Sequence, residues 1–206
     1  MIPLGVLGGA RHVAASGGAS VVQTGVHKGL LSEQLSISLS PLTPGNLLVV
    51  AVRDIASNPA YTFSHPLIKH YDDNRGGWNL SLWSCVIPPG AASTVVLDQA
   101  NSPSQDSMGA WELSGVSAFA SRTTVQANYA KTLSPPAHTE PGLLGLVTLM
   151  LGSASTDTGG LEVVNGVIDG TGKGLAFGHV PDPQTPVTLS WTSGSNEAVA
   201  SVARFV

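Results

Sequence analysis

The segment TPGNLLVVAV (residues 43–52) and the segment TEPGLLGLVTL (residues 139–149) both place a Pro-Gly turn before an apolar run of strand length. The segments that precede them also correspond: SVVQTGV (20–26) and LSPLTPG (39–45) in one case, TTVQANY (123–129) and LSPPAHTEPG (133–142) in the other. The order of the segments is the same in both parts of the chain. A repeated order of this kind indicates two similar structural units.

Short apolar or alternating segments, separated by Pro, Gly, Asn, Asp and Ser, recur along the whole chain. They are SVVQTGV, QLSISLS, NLLVVAVRD, NLSLWSCVI, STVVLDQ, MGAWELSGV, TTVQANY, LLGLVTLML, LEVVNGVI, GLAFGHV, PVTLSWT and AVASVARFV. About a dozen strand-length segments with turn residues between them are typical of antiparallel all-β proteins. We therefore predict an all-β fold, an antiparallel β-sandwich that is jelly-roll-like, with AVASVARFV as its closing strand.

The repeat predicts two similar half-units, at about 19–117 and 121–206, that share one core within a single sandwich domain spanning 19–206. Four apolar residues should then occupy equivalent strands of that core. They are Leu47, Val49, Leu144 and Leu146. The alternative is that Pro-Gly turns, which recur in all-β chains, make the two halves look alike by chance.

The first eighteen residues, MIPLGVLGGARHVAASGG, differ in composition from the rest of the chain. Their leading apolar residues are Ile2, Leu4, Val6 and Leu7. A secretory signal needs a positive charge ahead of a continuous apolar run, whereas Arg11 follows a run that Pro3 and several glycines interrupt. We expect residues 1–18 to form an amino-terminal arm that docks into a neighbouring subunit. An ordinary loose terminus is the alternative.

Charge and composition exclude several classes of partner. Nine Lys and Arg against 13 Asp and Glu give a formal net charge of −4, so we expect no nucleic-acid partner. No apolar stretch reaches the roughly 18–20 residues of a membrane helix, so we expect no membrane insertion. Charged residues make up 11% of the chain, against about 25% in typical proteins, and a neutral surface favours contact with neighbours. The single cysteine, Cys85, is expected to be a small buried apolar residue.

The stretch HPLIKHYDDN (65–74) contains residue types that bind metals, namely His65, His70, Asp72 and Asp73. Their spacing fits neither a calcium loop nor a zinc site, so we predict a polar hairpin loop. The stretch DGTGKGL lacks the spacing of a phosphate-binding loop, and the chain has no nucleophile elbow and no zinc-helix motif. We therefore expect no catalytic residues, no metal site and no cofactor.

Aromatic residues flank this polar stretch and suggest a binding surface. Sugar rings stack on exposed aromatic rings, so Tyr71 and Trp78 could form a small saccharide platform that contacts a host glycan. The polar residues between them would supply hydrogen bonds. These residues are Asp72, Asp73, Asn74 and Arg75. The alternative is that Trp78 only covers a sheet edge. Trp83 and Trp111 lie in strand patterns and are expected in the core.

Several segments together resemble a known family. An opening MIPLGVL-G-AR-VAA, a PGNLLVVAV strand, a WNLSLW strand, an AWELSGV strand and a following TLSPPAHT stretch look like the short minor tail proteins of tailed bacteriophages that infect mycobacteria and related actinobacteria. The likeness spans nearly the whole chain. Each segment alone is a plain β pattern, so the combination carries the resemblance.

The resemblance implies a virion component without catalytic residues, made in the host cytoplasm and assembled in the tail with other virion proteins, as a homo-oligomer. It also implies a role near the host surface. Two alternatives stay open at this point: a carbohydrate-binding, lectin-like module, and a protein that decorates the phage head. A hydrolase of cell-wall polymers is disfavoured because no carboxylate pair stands out in the sequence.

Overall fold

The computed structural model describes residues 18–28, 34–54, 61–75, 77–99, 107–151, 162–163, 166–172, 174–191 and 197–206. Every regular element in these ranges is a strand. The strands are β1 Ser20–Lys28, β2 Gln34–Ser38, β3 Leu47–Asp54, β4 Tyr61–Phe63, β5 Ile68–Arg75, β6 Trp78–Val86, β7 Thr94–Gln99, β8 Ser107–Ser114, β9 Phe119–Ala127, β10 Thr132–Leu133, β11 Leu144–Leu151, β12 Glu162–Val163, β13 Val167–Gly172, β14 Leu175–Val180, β15 Leu189–Ser190 and β16 Ala198–Phe205.

The strands form four antiparallel sheets in two identical sets. Strands β1–β8, the first half, form a large sheet of order β1-β8-β3-β6-β5 and a small sheet of order β2-β7-β4. Strands β9–β16, the second half, form a large sheet of order β9-β16-β11-β14-β13 and a small sheet of order β10-β15-β12. Each strand number rises by eight from one half to the other. The alternation between two sheets is that of an eight-stranded jelly roll, so the predicted jelly-roll-like sandwich is confirmed.

The structure has three apolar cores where one was expected. In each half the large and small sheets enclose a core of their own. A third cluster, which we call the shared core, lies between the two large sheets and draws residues from both halves. Leu47, Val49, Leu144 and Leu146 all belong to the shared core, as predicted. The molecule is therefore two jelly rolls packed face to face, with four layers.

Burial on both faces explains the composition of the central strands. Every residue of β3, β11 and β16 is buried, because one face of each strand meets the small sheet and the other meets the opposite half. In β3, for example, Val49 lies in the shared core and Val50 lies in the core of the first half. Strands buried on both sides are near-continuous apolar runs rather than alternating ones.

The two large sheets lie with their strands aligned. At the ends of β3 and β11, the guanidinium of Arg53 donates a hydrogen bond to the carbonyl oxygen of Leu151, at 3.1 Å. Strand β5 lies beside β9, where Arg122 donates a hydrogen bond to Asp73. Strand β1 lies beside β13, where Thr24 Oγ1 donates a hydrogen bond to the carbonyl oxygen of Asp169. We call the end at which β3 and β11 begin the near end, and the end at which they finish the far end.

Charged side chains fix the two Pro-Gly turns of the repeat at the near end. In the first half, Glu112 Oε1 accepts hydrogen bonds from the backbone N–H of Thr43 at 3.1 Å and from Asn46 Nδ2 at 2.6 Å. In the second half, Arg204 Nη1 donates a hydrogen bond to the carbonyl oxygen of Pro141 at 2.6 Å. The two side chains occupy equivalent places on β8 and β16, so each turn is bound to the neighbouring strand.

A glycine makes room for an aromatic contact between the halves. The rings of Trp111 on β8 and Phe177 on β14 meet edge to face, with centroids 4.4 Å apart. Gly109 lies two residues before Trp111, on the same face, and a Cβ atom there would overlap the Phe177 ring. The absence of a side chain at this position therefore sets how near the two large sheets can lie.

We predict that Gly109→Ala lowers the free energy of unfolding by about 1–3 kcal/mol, the usual range for overfilling a packed core. The measurement is urea unfolding of the full chain. The added methyl group should cost less in a Phe177→Leu background, where the ring is gone. Equal costs in both backgrounds would contradict the contact as the reason.

Candidate functional site

Five of the six residues predicted to bind a glycan lie on strand β5, and the sixth, Trp78, begins strand β6. The prediction of a polar hairpin loop over this stretch is wrong: residues 72–75 belong to the strand, and the turn follows, with Gly77 at φ 85°. Along β5, Tyr71 and Asp73 are buried while Asp72 and Asn74 are exposed. The strand is an edge of its sheet, which lets polar residues occupy its outward positions.

Tyr71 is not available as a stacking surface, which corrects the sequence prediction. Its side chain lies in the shared core, where 8% of the residue is exposed. The phenol shares a 3.5 Å hydrogen bond with Thr148 Oγ1, and the guanidinium of Arg122 lies 4.0 Å from the ring centroid. Burial raises the pKa of Tyr71 to about 12. The ring holds the two halves together rather than facing solvent.

Asp73 is also committed to the contact between the halves. Its carboxylate forms a bidentate ion pair with the guanidinium of Arg122 on β9, with Nη2 and Oδ1 2.9 Å apart. Its side chain is 10% exposed and that of Arg122 is 25% exposed. A planar, charge-assisted pair of this kind fixes the relative position of β5 and β9.

Trp78, the other half of the predicted platform, is half-buried. The guanidinium carbon of Arg53 lies 3.6 Å from the centroid of its ring, so one face of the indole is covered. Of the polar residues predicted beside it, Asp72 pairs with Lys69 at 2.9 Å and Asn74 is exposed, while Arg75 ends the strand. The structure therefore does not bring Tyr71 and Trp78 together as an exposed platform.

Two polar pairs that the sequence did not predict lie at equivalent positions in the halves. In the first half, His70 Nε2 and Ser84 Oγ share a 2.7 Å hydrogen bond, and the imidazole stacks on Phe119 with centroids 4.5 Å apart. In the second half, Asp169 and His179 Nδ1 are 3.1 Å apart. His70 and Asp169 are both the extra residue of a β-bulge, in β5 and β13. Aligning the two halves would have matched these positions.

Each pair joins two neighbouring strands, β5 to β6 or β13 to β14, and so holds an edge strand against its sheet. Asp169 also accepts a hydrogen bond from Trp111 Nε1 at 3.1 Å, so its carboxylate links β13 to the opposite half. Ser84 is buried, and burial lowers the pKa of His70. Three further histidines hydrogen-bond to backbone carbonyl oxygens: His27 Nδ1 to Ser36 at 2.8 Å, His65 Nε2 to Ala92 at 3.0 Å, and His138 Nε2 to Val202 at 2.9 Å.

A second group of aromatic side chains lies together without having been predicted. Tyr61, Phe63 and Trp83 are each half-buried, with ring centroids 5.0–6.2 Å apart. The ammonium of Lys69 lies 5.0 Å from the Trp83 ring. Trp83 is thus only partly in the core, whereas Trp111 is fully buried as expected. Tyr61 and Phe63 lie two residues apart on β4, but Trp83 lies on β6, so no local motif could have grouped all three rings.

Other predicted features lie outside these contacts. Cys85 is buried as expected, and burial raises the pKa of its thiol. The arm residues Ile2, Leu4, Val6 and Leu7 lie outside the described residues. Within the described ranges, no three or more His, Cys, Asp or Glu side chains are grouped so that they could hold a metal ion. The same ranges contain no helix that could span a membrane.

A scan against protein-family models finds no match for the chain, and a search of curated proteins finds none.

We predict that Asp73→Asn lowers the free energy of unfolding by about 2 kcal/mol, measured by urea unfolding at neutral pH. Breaking a buried ion pair costs about 3–5 kcal/mol, and the partial exposure of Arg122 reduces that cost. The matched control is Asp72→Asn on the same strand, whose exposed pair with Lys69 should be worth less than about 1 kcal/mol. Equal effects of the two substitutions would contradict the assigned role of Asp73.

We predict that His70 makes the fold less stable in mild acid. Because burial lowers its pKa in the folded state, the unfolded chain binds a proton more readily. Above the unfolded-state pKa of 6.5, His70 is neutral in both states and does not reduce the free energy of unfolding. As the pH falls toward the lowered folded-state pKa, the free energy of unfolding decreases. Unfolding curves at pH 7.5 and pH 5.5 should show a larger loss for the wild type than for His70→Gln. Parallel losses would refute the prediction.

Proposed function

We propose that the protein is a non-enzymatic structural component of a bacteriophage virion, a minor tail protein that assembles as a homo-oligomer with other virion proteins. The observation that carries the proposal is how the described polar side chains are used. Asp73, Glu112, Asp169 and Arg204 each hold a turn, a strand edge or the contact between the halves. This use of charge favours a rigid building block.

The near end of the molecule supports assembly through strand ends. Gly18 and Ala19, the first described residues, lie against Gly115 at this end. The backbone N–H of Ser117 donates to the carbonyl oxygen of Val206 close by. Val206 is 38% exposed and Leu143 is 49% exposed at the same end. Residue 18, at which the proposed arm ends, therefore lies at the same end as these exposed apolar side chains, where a neighbouring subunit could cover them.

The low charge of the chain supports the same proposal. Charged residues account for 11% of the sequence, so copies can approach one another with little electrostatic repulsion. The segments that resemble minor tail proteins point to the tail rather than the head. The proposal therefore places the protein in the virion tail after synthesis in the host cytoplasm.

A lectin-like module is the second candidate function, and one observation favours it. Tyr61, Phe63 and Trp83, each half-buried, lie together beside Lys69 in the first half. An aromatic face can stack on a sugar ring, and a neighbouring ammonium can donate hydrogen bonds to the sugar hydroxyls. Binding of a host glycan is compatible with a tail position, so the two functions can be held by one protein.

We predict that the protein is present in purified phage particles and that deleting residues 1–16 prevents its incorporation while leaving its melting temperature unchanged within about 2 °C. The arm should bury apolar side chains against a neighbour and contribute nothing to the cores of its own subunit. The measurements are mass spectrometry of gradient-purified virions and electron microscopy with a gold-labelled antibody.

A second variant keeps the length of the arm and replaces Ile2, Leu4, Val6 and Leu7 with serine. It should also prevent incorporation, because the apolar side chains and not the length of the arm are needed. Labelling of the head would contradict the tail assignment and favour a decoration protein. Absence of the wild-type protein from the particles would contradict the proposal.

A further inference from the structure

Tyr129 has a conformation that its residue type disfavours. It lies in the turn after β9 with φ 56°, and no other described residue apart from glycines has a positive φ. A side chain in this left-handed region clashes with the following carbonyl, so bulky residues occur there rarely. Strained positions persist when the surrounding structure holds them in place, and they cluster at functional sites.

The ring of Tyr129 gains nothing from the protein's own interior. The residue is 80% exposed, the largest value among the exposed large apolar residues. The turn itself is anchored on the side that follows, because Ala130 packs on the core of the second half and the backbone N–H of Trp191 donates to the carbonyl oxygen of Lys131 at 3.1 Å. A fixed backbone therefore holds an aromatic ring out into solvent.

The position of the turn separates it from the assembly contacts. Strand β9 begins at Phe119, paired with Phe205 at the near end, and finishes at Ala127, paired with Ala198. Tyr129 therefore lies at the far end of the molecule. Strands β9 and β13 are opposite edges of one large sheet. The exposed residues Val167 and Ile168 on β13 are therefore separated from Tyr129 by the full width of that sheet.

We infer that residues 128–132 form a saccharide-binding site in which the face of Tyr129 stacks on a sugar ring. Asn128, Lys131 and Thr132 are all exposed around it and carry the amide, ammonium and hydroxyl groups that bind sugar hydroxyls. A protein partner would need a buried apolar centre of several residues, and Tyr129 has no exposed apolar neighbour of that kind among the described residues. The inference rests on the proposed function and names its host ligand.

The test uses the full-length protein and a printed array of neutral hexose and pentose oligosaccharides. The wild type should bind at least one of them, and Tyr129→Ala should weaken that binding at least tenfold. Tyr129→Phe should retain most of it, because stacking uses the face of the ring. The control is Ile68→Ala, which removes another highly exposed apolar side chain and should leave binding unchanged.

Tyr129→Gly separates binding from folding. Glycine adopts a positive φ without strain, so this variant should lose binding while its melting temperature stays within about 2 °C of the wild type or rises. Failure of the wild type to bind any oligosaccharide, or equal binding by Tyr129→Ala, would overturn the inference. If the wild type binds no oligosaccharide but phage that carry Tyr129→Ala no longer adsorb to host cells, the turn binds a protein receptor instead.

Incorporation into particles distinguishes this inference from the proposed function. Tyr129→Ala should enter virions as the wild type does, because the turn lies at the opposite end of the molecule from residue 18. A protein absent from particles that still binds saccharide through Tyr129 would refute the virion role and leave the site intact.

Discussion

The apolar contact between the two large sheets is the constraint on which the remaining structure depends. Each jelly roll has a core of its own, yet the outer face of its large sheet is as apolar as the inner one, so neither half can leave that face in water. Small residues such as Gly109 and Ala203 alternate there with Trp111 and Phe177, which lets the sheets interlock. Side chains at the edges of this apolar contact lie between the core and solvent, so they are polar and hydrogen-bonded to one another.

The margins also limit how copies of the protein can associate. All four edge strands of the large sheets, β1, β5, β9 and β13, contain a register shift. Bulges and inward-pointing polar residues are devices by which proteins prevent edge-to-edge pairing. His70 and Asp169 occupy two of these bulges, so the residues that support the interface also blunt the edges. Association through strand ends, where Leu143 and Val206 are exposed, does not meet this obstacle.

The sequence could predict the class of fold and the repeat, because Pro-Gly turns and apolar runs are local signals. It could not separate one core from three, since a strand buried on both faces has no alternation to show which side meets which layer. Strand β5 was misread because edge strands tolerate polar residues such as Asp72 and Asn74 that resemble a loop. The roles of Tyr71 and Asp73 depend on Arg122, about fifty residues further along, and no local pattern reports that partner.

Equivalent positions in the two halves keep one backbone geometry while their chemistry differs. Glu112 and Arg204 carry opposite charges at the same place, and this exchange is tolerated because each binds the turn of its own half. Inside the sheets, a side chain is therefore chosen by its neighbours in the fold. Beyond the last strand pair that restriction ends, and the choice depends on what the residue meets outside the molecule. For this reason a tyrosine held in a left-handed conformation at a strand end indicates a ligand, whereas the same strain within a sheet would indicate only packing.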